Sequence, residues 1–167
     1  MIEIDVGEDT MQNKAIRKEI LKKVRRIVVK VGSSILASTE KGLHHEVFSH
    51  LVREISTLKR QGKEIILVSS GAIAAGMEKL GYASCPQSIT QKQAIAAVGQ
   101  SRLMSIYETY FSRHQQIIAQ ILLTHEDLSH RRRFMNARNT LLTLLNLGIL
   151  PIINENDTVV VDEIKVG

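Results

Sequence analysis

The sequence predicts an α/β fold, in which a mainly parallel sheet carries helices on both faces. Four short aliphatic runs alternate with segments whose apolar residues recur at helical spacing, the order expected of parallel strands joined by helices. The strand runs are continuously apolar, which is typical of strands covered on both faces. Aromatic residues make up only 4% of the 167 residues, so the predicted core is aliphatic.

The element boundaries follow from apolar spacing, glycines and capping residues. Strands are predicted at residues 27–31, 65–68, 117–122 and 149–153, and helices at residues 47–58, 72–80, 89–111 and 133–147. Ser88 and Gln91 have the spacing of a capping box, and residues 124–127 are suited to capping a short turn. Pro151 predicts an edge position or irregular pairing for the fourth strand. Residues 158–161 and 163–166 are predicted to be extended, as in a hairpin.

Composition and charge narrow the class of protein. The length suits one domain, no apolar run approaches a membrane span, and the single cysteine, Cys85, fits a reducing cytoplasm. The net charge of +5 is concentrated in residues 14–26 and 131–133. Neither cluster has interleaved aromatic residues, so an amphipathic, basic leader over residues 1–25 is favoured over a nucleic-acid-binding surface. Residues 26–167 then form the main domain.

The end of the second strand is the first candidate site. Ser69, Ser70 and Gly71 separate this strand from an alanine-rich helix, whose free N–H groups and dipole suit an anion. Ser70 adds a hydroxyl donor, and Gly71 allows a ligand to approach the backbone; an ordinary strand-to-helix turn remains the alternative. The sequence lacks the Lys-Ser/Thr of a P-loop, the dinucleotide fingerprint and the serine-hydrolase elbow.

Two further strand ends carry polar groups. Lys30 is the one charge in the first strand, and Gly32 and Ser33 form a small donor-rich turn suited to phosphate oxygens, unless Lys30 merely extends to the sheet edge. Asn154 and Asp157 close the fourth strand, where they could bind the polar ends of a substrate or form a polar turn. No metal ligand set is predicted, and the six histidines are expected at the surface.

The carboxyl ends of parallel strands meet at one edge of a sheet, so these three groups are expected to lie together. Together they provide a cation (Lys30), a candidate anion site (Ser70 and Gly71) and a cluster of amide and carboxylate groups (Asn154 and Asp157). That combination suits transfer of a phosphoryl group to the carboxylate of an amino acid, which depends on positioning and charge neutralisation.

Several segments resemble the glutamate 5-kinases of the amino acid kinase superfamily. The resemblance covers residues 26–167 and is carried by residues 29–34 (VKVGSS), 68–76 (VSSGAIAAG), 97–103 (AVGQSRL), 134–138 (FMNAR), 153–157 (INEND) and 163–167 (EIKVG). It implies a three-layer α/β/α fold and the ATP- and Mg²⁺-dependent phosphorylation of L-glutamate in proline biosynthesis.

The resemblance also implies roles for individual residues. Lys30 would neutralise the transferring phosphoryl group, with Gly32 and Ser33 along the phosphate path. Ser70 and Gly71 would hold glutamate, and Asp157 with Asn154 would fix its polar ends. It further implies a cytoplasmic homo-oligomer inhibited by proline, without nucleic-acid or membrane partners.

Members of that family continue beyond the position of Gly167 with a segment that completes the substrate site and then the adenine-binding half. The 167 residues are therefore expected to be a truncated, glutamate-binding front part that is inactive alone. Another acceptor, such as acetylglutamate, aspartate or carbamate, is the alternative within the superfamily.

Overall fold

The computed structural model describes residues 16, 19–20, 22–38 and 42–159. The strands are β1 (Arg26–Val31), β2 (Ala37–Ser38), β3 (Gly42–Leu43), β4 (Glu64–Ser69), β5 (Ile118–Leu123) and β6 (Leu150–Glu155). The helices are α1 (Ser33–Leu36), α2 (His45–Arg60), α3 (Ala72–Leu80), α4 (Ile89–Ser112), α5 (His125–Ser129) and α6 (Arg131–Asn146). The predicted hairpin lies almost wholly outside the described residues, as does most of the predicted leader.

The main sheet has the strand order β1-β4-β6-β5, and all three of its pairings are parallel. This confirms the α/β fold class and the four predicted strands. Because the strands are parallel, their carboxyl ends lie at one edge. β2 and β3 form a separate antiparallel pair, and together with α1 they occupy a segment for which the sequence predicted only a polar loop.

The sheet separates two helical layers. On one face, α2 and α4 enclose a core whose largest buried side chains include Phe48, Leu67, Tyr107 and Ile152. The chain reverses direction across the sheet between β5 and β6. Because connections between parallel strands are right-handed, this reversal puts α6 on the opposite face. That layer does not extend over β1, where Val28 is 61% exposed. No helix in the described ranges combines the length and apolarity needed to cross a membrane.

Helices α3 and α4 pack with their backbones in direct contact. A Cβ built on Gly99 would lie 1.7 Å from the carbonyl oxygen of Ala72, and one on Gly76 would lie 2.1 Å from that of Ile95. No side chain fits into these spaces. The two glycines therefore set the distance between the helices.

Of the two alternatives predicted for Pro151, the edge position is wrong, whereas the pairing of β6 with β4 is indeed incomplete at this residue. β6 lies between β4 and β5, and Pro151 is fully buried. Leu150 donates its N–H to Ile117 in the direction of β5, so by strand alternation the nitrogen of Pro151 faces β4. The β4–β6 ladder is registered only from Ile152 onward, so no ladder hydrogen bond is lost at the proline.

Helix α6 begins two residues before its predicted start and is less buried than its apolar pattern indicates. Of its predicted inward residues, Leu145 is buried, whereas Phe134 is 43% exposed. α6 contacts the short helix α5 as well as β6. At its start, Arg133 lies 3.3 Å from Asp127 of α5, whereas its buried residue, Leu145, is near its end.

We predict that Gly99→Ala destabilises the protein. The added methyl would overlap the α3 backbone, and overpacking of this kind costs about 1–3 kcal/mol or more in the free energy of unfolding. Gly32→Ala is the control, because its φ is −79° and a Cβ there meets no atom within 4 Å. Urea unfolding of both variants measures the difference. Equal stability of the two would show that the α3–α4 contact is adaptable.

Candidate active site

The carboxyl ends of β1, β4 and β6 lie side by side. Lys30 is in register with Val68, and Val68 is in register with Ile153. Neighbouring strands are about 4.8 Å apart, so these three strand ends fall within roughly 10 Å of one another. The structure therefore brings together the three turns that the sequence singled out.

The first two turns are joined directly. The N–H of Ser70 donates to the carbonyl oxygen of Val31 over 3.0 Å. A Cβ on Gly71 would lie 3.7 Å from the side chain of Leu36, the last residue of α1. The backbone after β1 and the backbone after β4 thus form one continuous surface.

Gly71 begins helix α3 in a conformation that favours glycine. Its φ is +106°, which L-residues with a Cβ rarely adopt. No side chain caps this helix start, and the first N–H groups of α3 point toward the strand ends. Ser70 is half-buried beside them. These donors and the helix dipole lie where the sequence predicts an anion site.

Lys30, Gly32 and Ser33 border the same turns on the more open side. Lys30 is exposed and lies on the sheet face opposite to α4, as does its neighbour Val28. Gly32 is half-buried with no atom near the position of a Cβ, and Ser33 is exposed. The space beside this backbone is therefore open to a ligand.

Asn154 is 5% exposed, and its amide is held at both ends. Its Nδ2 donates to Oε1 of Gln100 over 2.8 Å, and its Oδ1 accepts from the N–H of Glu155 over 2.9 Å. Gln100 is on α4, immediately after Gly99, so the close α3–α4 contact delivers it to this position.

Gln100 was not predicted as a site residue. Its Nε2 is buried and has no hydrogen-bond partner among the described residues. A buried amide without an acceptor is costly, so this donor is suited to a ligand oxygen. The only signal in the sequence was its presence in the segment 97–103.

Asp157 follows β6 in a turn and is 9% exposed, which is low for a carboxylate. The preceding residue, Asn156, donates its N–H to the carbonyl oxygen of Leu123 and thereby connects this turn to β5. Asp157 makes interactions of its own within the protein. The Asp157 carboxylate and the Asn154 amide are therefore both held in place by interactions within the protein.

A fourth strand end, that of β5, has a structural role. Residues 124–127 cap a short helix, as predicted, and Thr124 and Asp127 do so as a full capping box in which the Asp127 carboxylate accepts from the Thr124 N–H over 2.9 Å. These hydrogen bonds to Thr124 lower the pKa of Asp127, and Arg133 adds to the effect. Ser88 likewise caps α4 by accepting from the N–H of Gln91.

Beneath the candidate anion site, two buried hydroxyl groups lie within hydrogen-bond distance of each other. Ser69 Oγ lies 2.9 Å from the hydroxyl of Tyr107, and burial raises the pKa of Tyr107 to about 12. The described histidines are exposed or half-buried. In the described part of the chain, no group of three or more histidine, cysteine or acidic residues could hold a metal ion.

The model of the amino acid kinase family matches residues 25–167, so the chain belongs to this family. It is similar to glutamate 5-kinases along most of its length. The enzyme of Geobacter metallireducens is 58% identical over 152 residues, which are 91% of this chain and 41% of the relative. That of Desulfotalea psychrophila is 56% identical over 153 residues, 91% of this chain and 40% of the relative. The chain thus spans about two-fifths of the length of these relatives.

We predict that Tyr107 ionises only well above pH 10 in the folded protein. Folding raises the pKa of Tyr107 from 10 to about 12, so the neutral form is the one that the folded state favours. Its contribution to stability is therefore complete below pH 10 and is lost as the pH rises through 12. Absorbance at the phenolate band measures this, with Tyr107→Phe removing the late step. A folded-protein titration above pH 10 that Tyr107→Phe leaves unchanged would contradict the assignment.

Proposed function

We propose that this chain is the acceptor-binding part of a glutamate 5-kinase, which transfers the γ-phosphoryl group of ATP to the side-chain carboxylate of L-glutamate. The products are L-glutamyl 5-phosphate and ADP, and the reaction opens proline biosynthesis. The observation that carries the proposal is the adjacency of the three strand ends bearing Lys30, Ser70-Gly71 and Asn154. The similarity to enzymes named glutamate 5-kinase supports this acceptor over acetylglutamate or aspartate.

Glutamate has two carboxylates and one ammonium group, and the site has matching partners. The N–H groups at the start of α3, the Ser70 hydroxyl and the amides of Gln100 and Asn154 are donors for carboxylate oxygens. Asp157 is the partner for the ammonium group. These contacts hold the nucleophilic carboxylate in place, which is the main contribution that protein groups make to phosphoryl transfer.

Lys30 lies on the open side of these groups and is suited to the charge on the transferring phosphoryl group. Gly32 and Ser33 would line the path of the ATP phosphates, because their backbone is accessible and carries no bulky side chain. ATP brings Mg²⁺, which supplies charge neutralisation when bound.

The proposal extends to the setting of the enzyme. We expect a cytoplasmic homo-oligomer that proline inhibits, with no nucleic-acid or membrane partner. Proline shares the α-carboxylate and the α-nitrogen of glutamate, so groups that hold those ends of glutamate are chemically suited to the inhibitor as well.

The reaction is tested in a full-length enzyme, made by replacing the aligned segment of the Geobacter metallireducens glutamate 5-kinase with the residues of this chain. Hydroxylamine traps acyl phosphates, so ATP-dependent hydroxamate should form with glutamate. Aspartate and acetylglutamate at equal concentration are the competing acceptors, and preference for either would overturn the assignment. The 167-residue chain assayed alone should bind Mg-ATP weakly and form no hydroxamate.

Lys30→Met in the full-length enzyme should lower kcat by on the order of a hundredfold or more, with little change in the KM for glutamate. A charge directed at the transferring group stabilises the transition state more than the bound acceptor. Lys79→Met is the control, since Lys79 is exposed at the far end of α3. Steady-state hydroxamate kinetics measure both variants. An unchanged kcat in Lys30→Met would make this lysine structural.

Asp157→Ala should instead raise the KM for glutamate, because the ion pair with the ammonium group is present in the ground state and the transition state alike. Loss of one partner of a buried charge pair costs roughly 2–5 kcal/mol. Asp127→Ala, which removes a carboxylate from the neighbouring end of β5, should lower thermal stability and leave this KM unchanged. A normal KM in Asp157→Ala would exclude Asp157 from the site.

A further inference from the structure

The buried hydroxyl groups of Tyr107 and Ser69 form a chain that ends on the backbone of the anion site. Tyr107 is completely buried and Ser69 is 2% exposed. The Tyr107 hydroxyl lies 2.9 Å from Ser69 Oγ, which in turn lies 3.1 Å from the carbonyl oxygen of Ser70. Three oxygens from α4, β4 and the following turn are thus connected.

The direction of this chain follows from counting protons. A carbonyl oxygen can only accept a hydrogen bond, so the single hydroxyl proton of Ser69 is donated to the carbonyl oxygen of Ser70. Tyr107 must then be the donor to Ser69. The opposite assignment would leave a buried tyrosine proton without an acceptor, at considerable cost. The raised pKa of Tyr107 agrees with a hydroxyl that keeps its proton.

The hydrogen bond that holds the Ser70 carbonyl group also determines the orientation of the Gly71 N–H group, because both belong to one planar peptide. The described residues contain no cis peptide bond, and in a trans peptide the C=O and the following N–H point in opposite directions. The Ser70 carbonyl is turned toward the α4 side, so the Gly71 N–H is turned away from it. Among the described residues, nothing accepts a hydrogen bond from this N–H.

We propose that Tyr107 is a positioning residue of the acceptor site: through Ser69 it holds the Ser70–Gly71 peptide in the one orientation that presents the Gly71 N–H to the carboxylate of the acceptor. The identity of that carboxylate rests on the proposed function. Glycine permits this peptide to rotate far more freely than other residues do. The hydroxyl chain selects one orientation before the ligand arrives, so binding does not have to reorganise the peptide.

Two tyrosines of helix α4, Tyr107 and Tyr110, provide a test variant and a matched control. Tyr107 also packs its ring on Phe48, at 5.0 Å between ring centres, and Tyr107→Phe keeps that contact while removing the hydroxyl. Tyr110, three residues further on, uses its hydroxyl on His45 Nδ1 at 3.2 Å, away from the strand ends. Tyr110→Phe therefore removes a hydroxyl from the same helix without touching the chain to Ser70.

In the full-length enzyme, Tyr107→Phe should raise the KM for glutamate about three- to tenfold, the usual effect of losing one hydrogen bond. The KM for ATP should stay the same, and Tyr110→Phe should change neither constant. Ser69→Ala should match Tyr107→Phe, and the double variant should be no worse than either single one, because both interrupt the same chain. Ser69→Thr, which retains the hydroxyl, should preserve the parental KM.

A readout independent of catalysis separates this inference from the proposed function. With ¹⁵N-glycine labelling of the full-length enzyme, the Gly71 amide signal should shift in Tyr107→Phe and stay in place in Tyr110→Phe. If the enzyme does not phosphorylate glutamate, the proposed function fails while the amide signal still tests the peptide orientation. A lowered melting temperature in Tyr107→Phe with an unchanged Gly71 signal and an unchanged glutamate KM would overturn the inference and leave Tyr107 a packing residue.

Discussion

The contact between α3 and α4 at Gly76 and Gly99 is the constraint on which the candidate site depends. With no side chain between the two backbones, α4 lies at a fixed, short distance from the helix whose first turn forms the candidate anion site. A helix is stiff over this length, so the fixed contact determines where its other residues reach. Gln100 and Tyr107 are seven residues apart, about two turns, and hence lie on nearly the same side of α4. One reaches Asn154 at the end of β6, and the other reaches Ser69 at the end of β4.

Helix α4 thus contributes to the site by orienting polar groups of other elements. The candidate binding residues predicted from the sequence lie at the strand ends and not on α4. Asn154 and Ser69 are buried, and a buried polar group without a fixed partner would cost stability and could turn in several directions. Their partners on α4 remove that freedom. The remaining donors are the Gln100 Nε2 and the N–H groups at the start of α3, and they are already oriented. Donors oriented in advance stabilise a charge most effectively, because the protein does not have to reorganise when the ligand binds.

The sequence predicted the elements and the strand ends well, because both depend on local patterns. Each main-sheet strand was placed within two residues of its observed ends, and the predicted helix over residues 72–80 coincides with α3. The failures involve contacts between distant segments. Pro151 is accommodated by the register of its neighbour β4, and the exposure of Phe134 depends on which elements α6 meets. Gln100 and Tyr107 had no local signature, because their partners lie 54 and 38 residues away along the chain.

The two faces of the sheet differ at the strand ends. On the proposed function, this difference determines the side from which the phosphoryl group approaches the acceptor. On the side of α4, Ser69, Tyr107 and Asn154 are packed closely, so a nucleotide has no space there. On the other side Lys30 is exposed, and the backbone at Gly32 has open space beside it. An acceptor carboxylate held by the Gly71 N–H therefore presents its free oxygen away from α4. The phosphoryl group must then arrive from the side of Lys30, which places the cation beside the bond that forms rather than behind the acceptor.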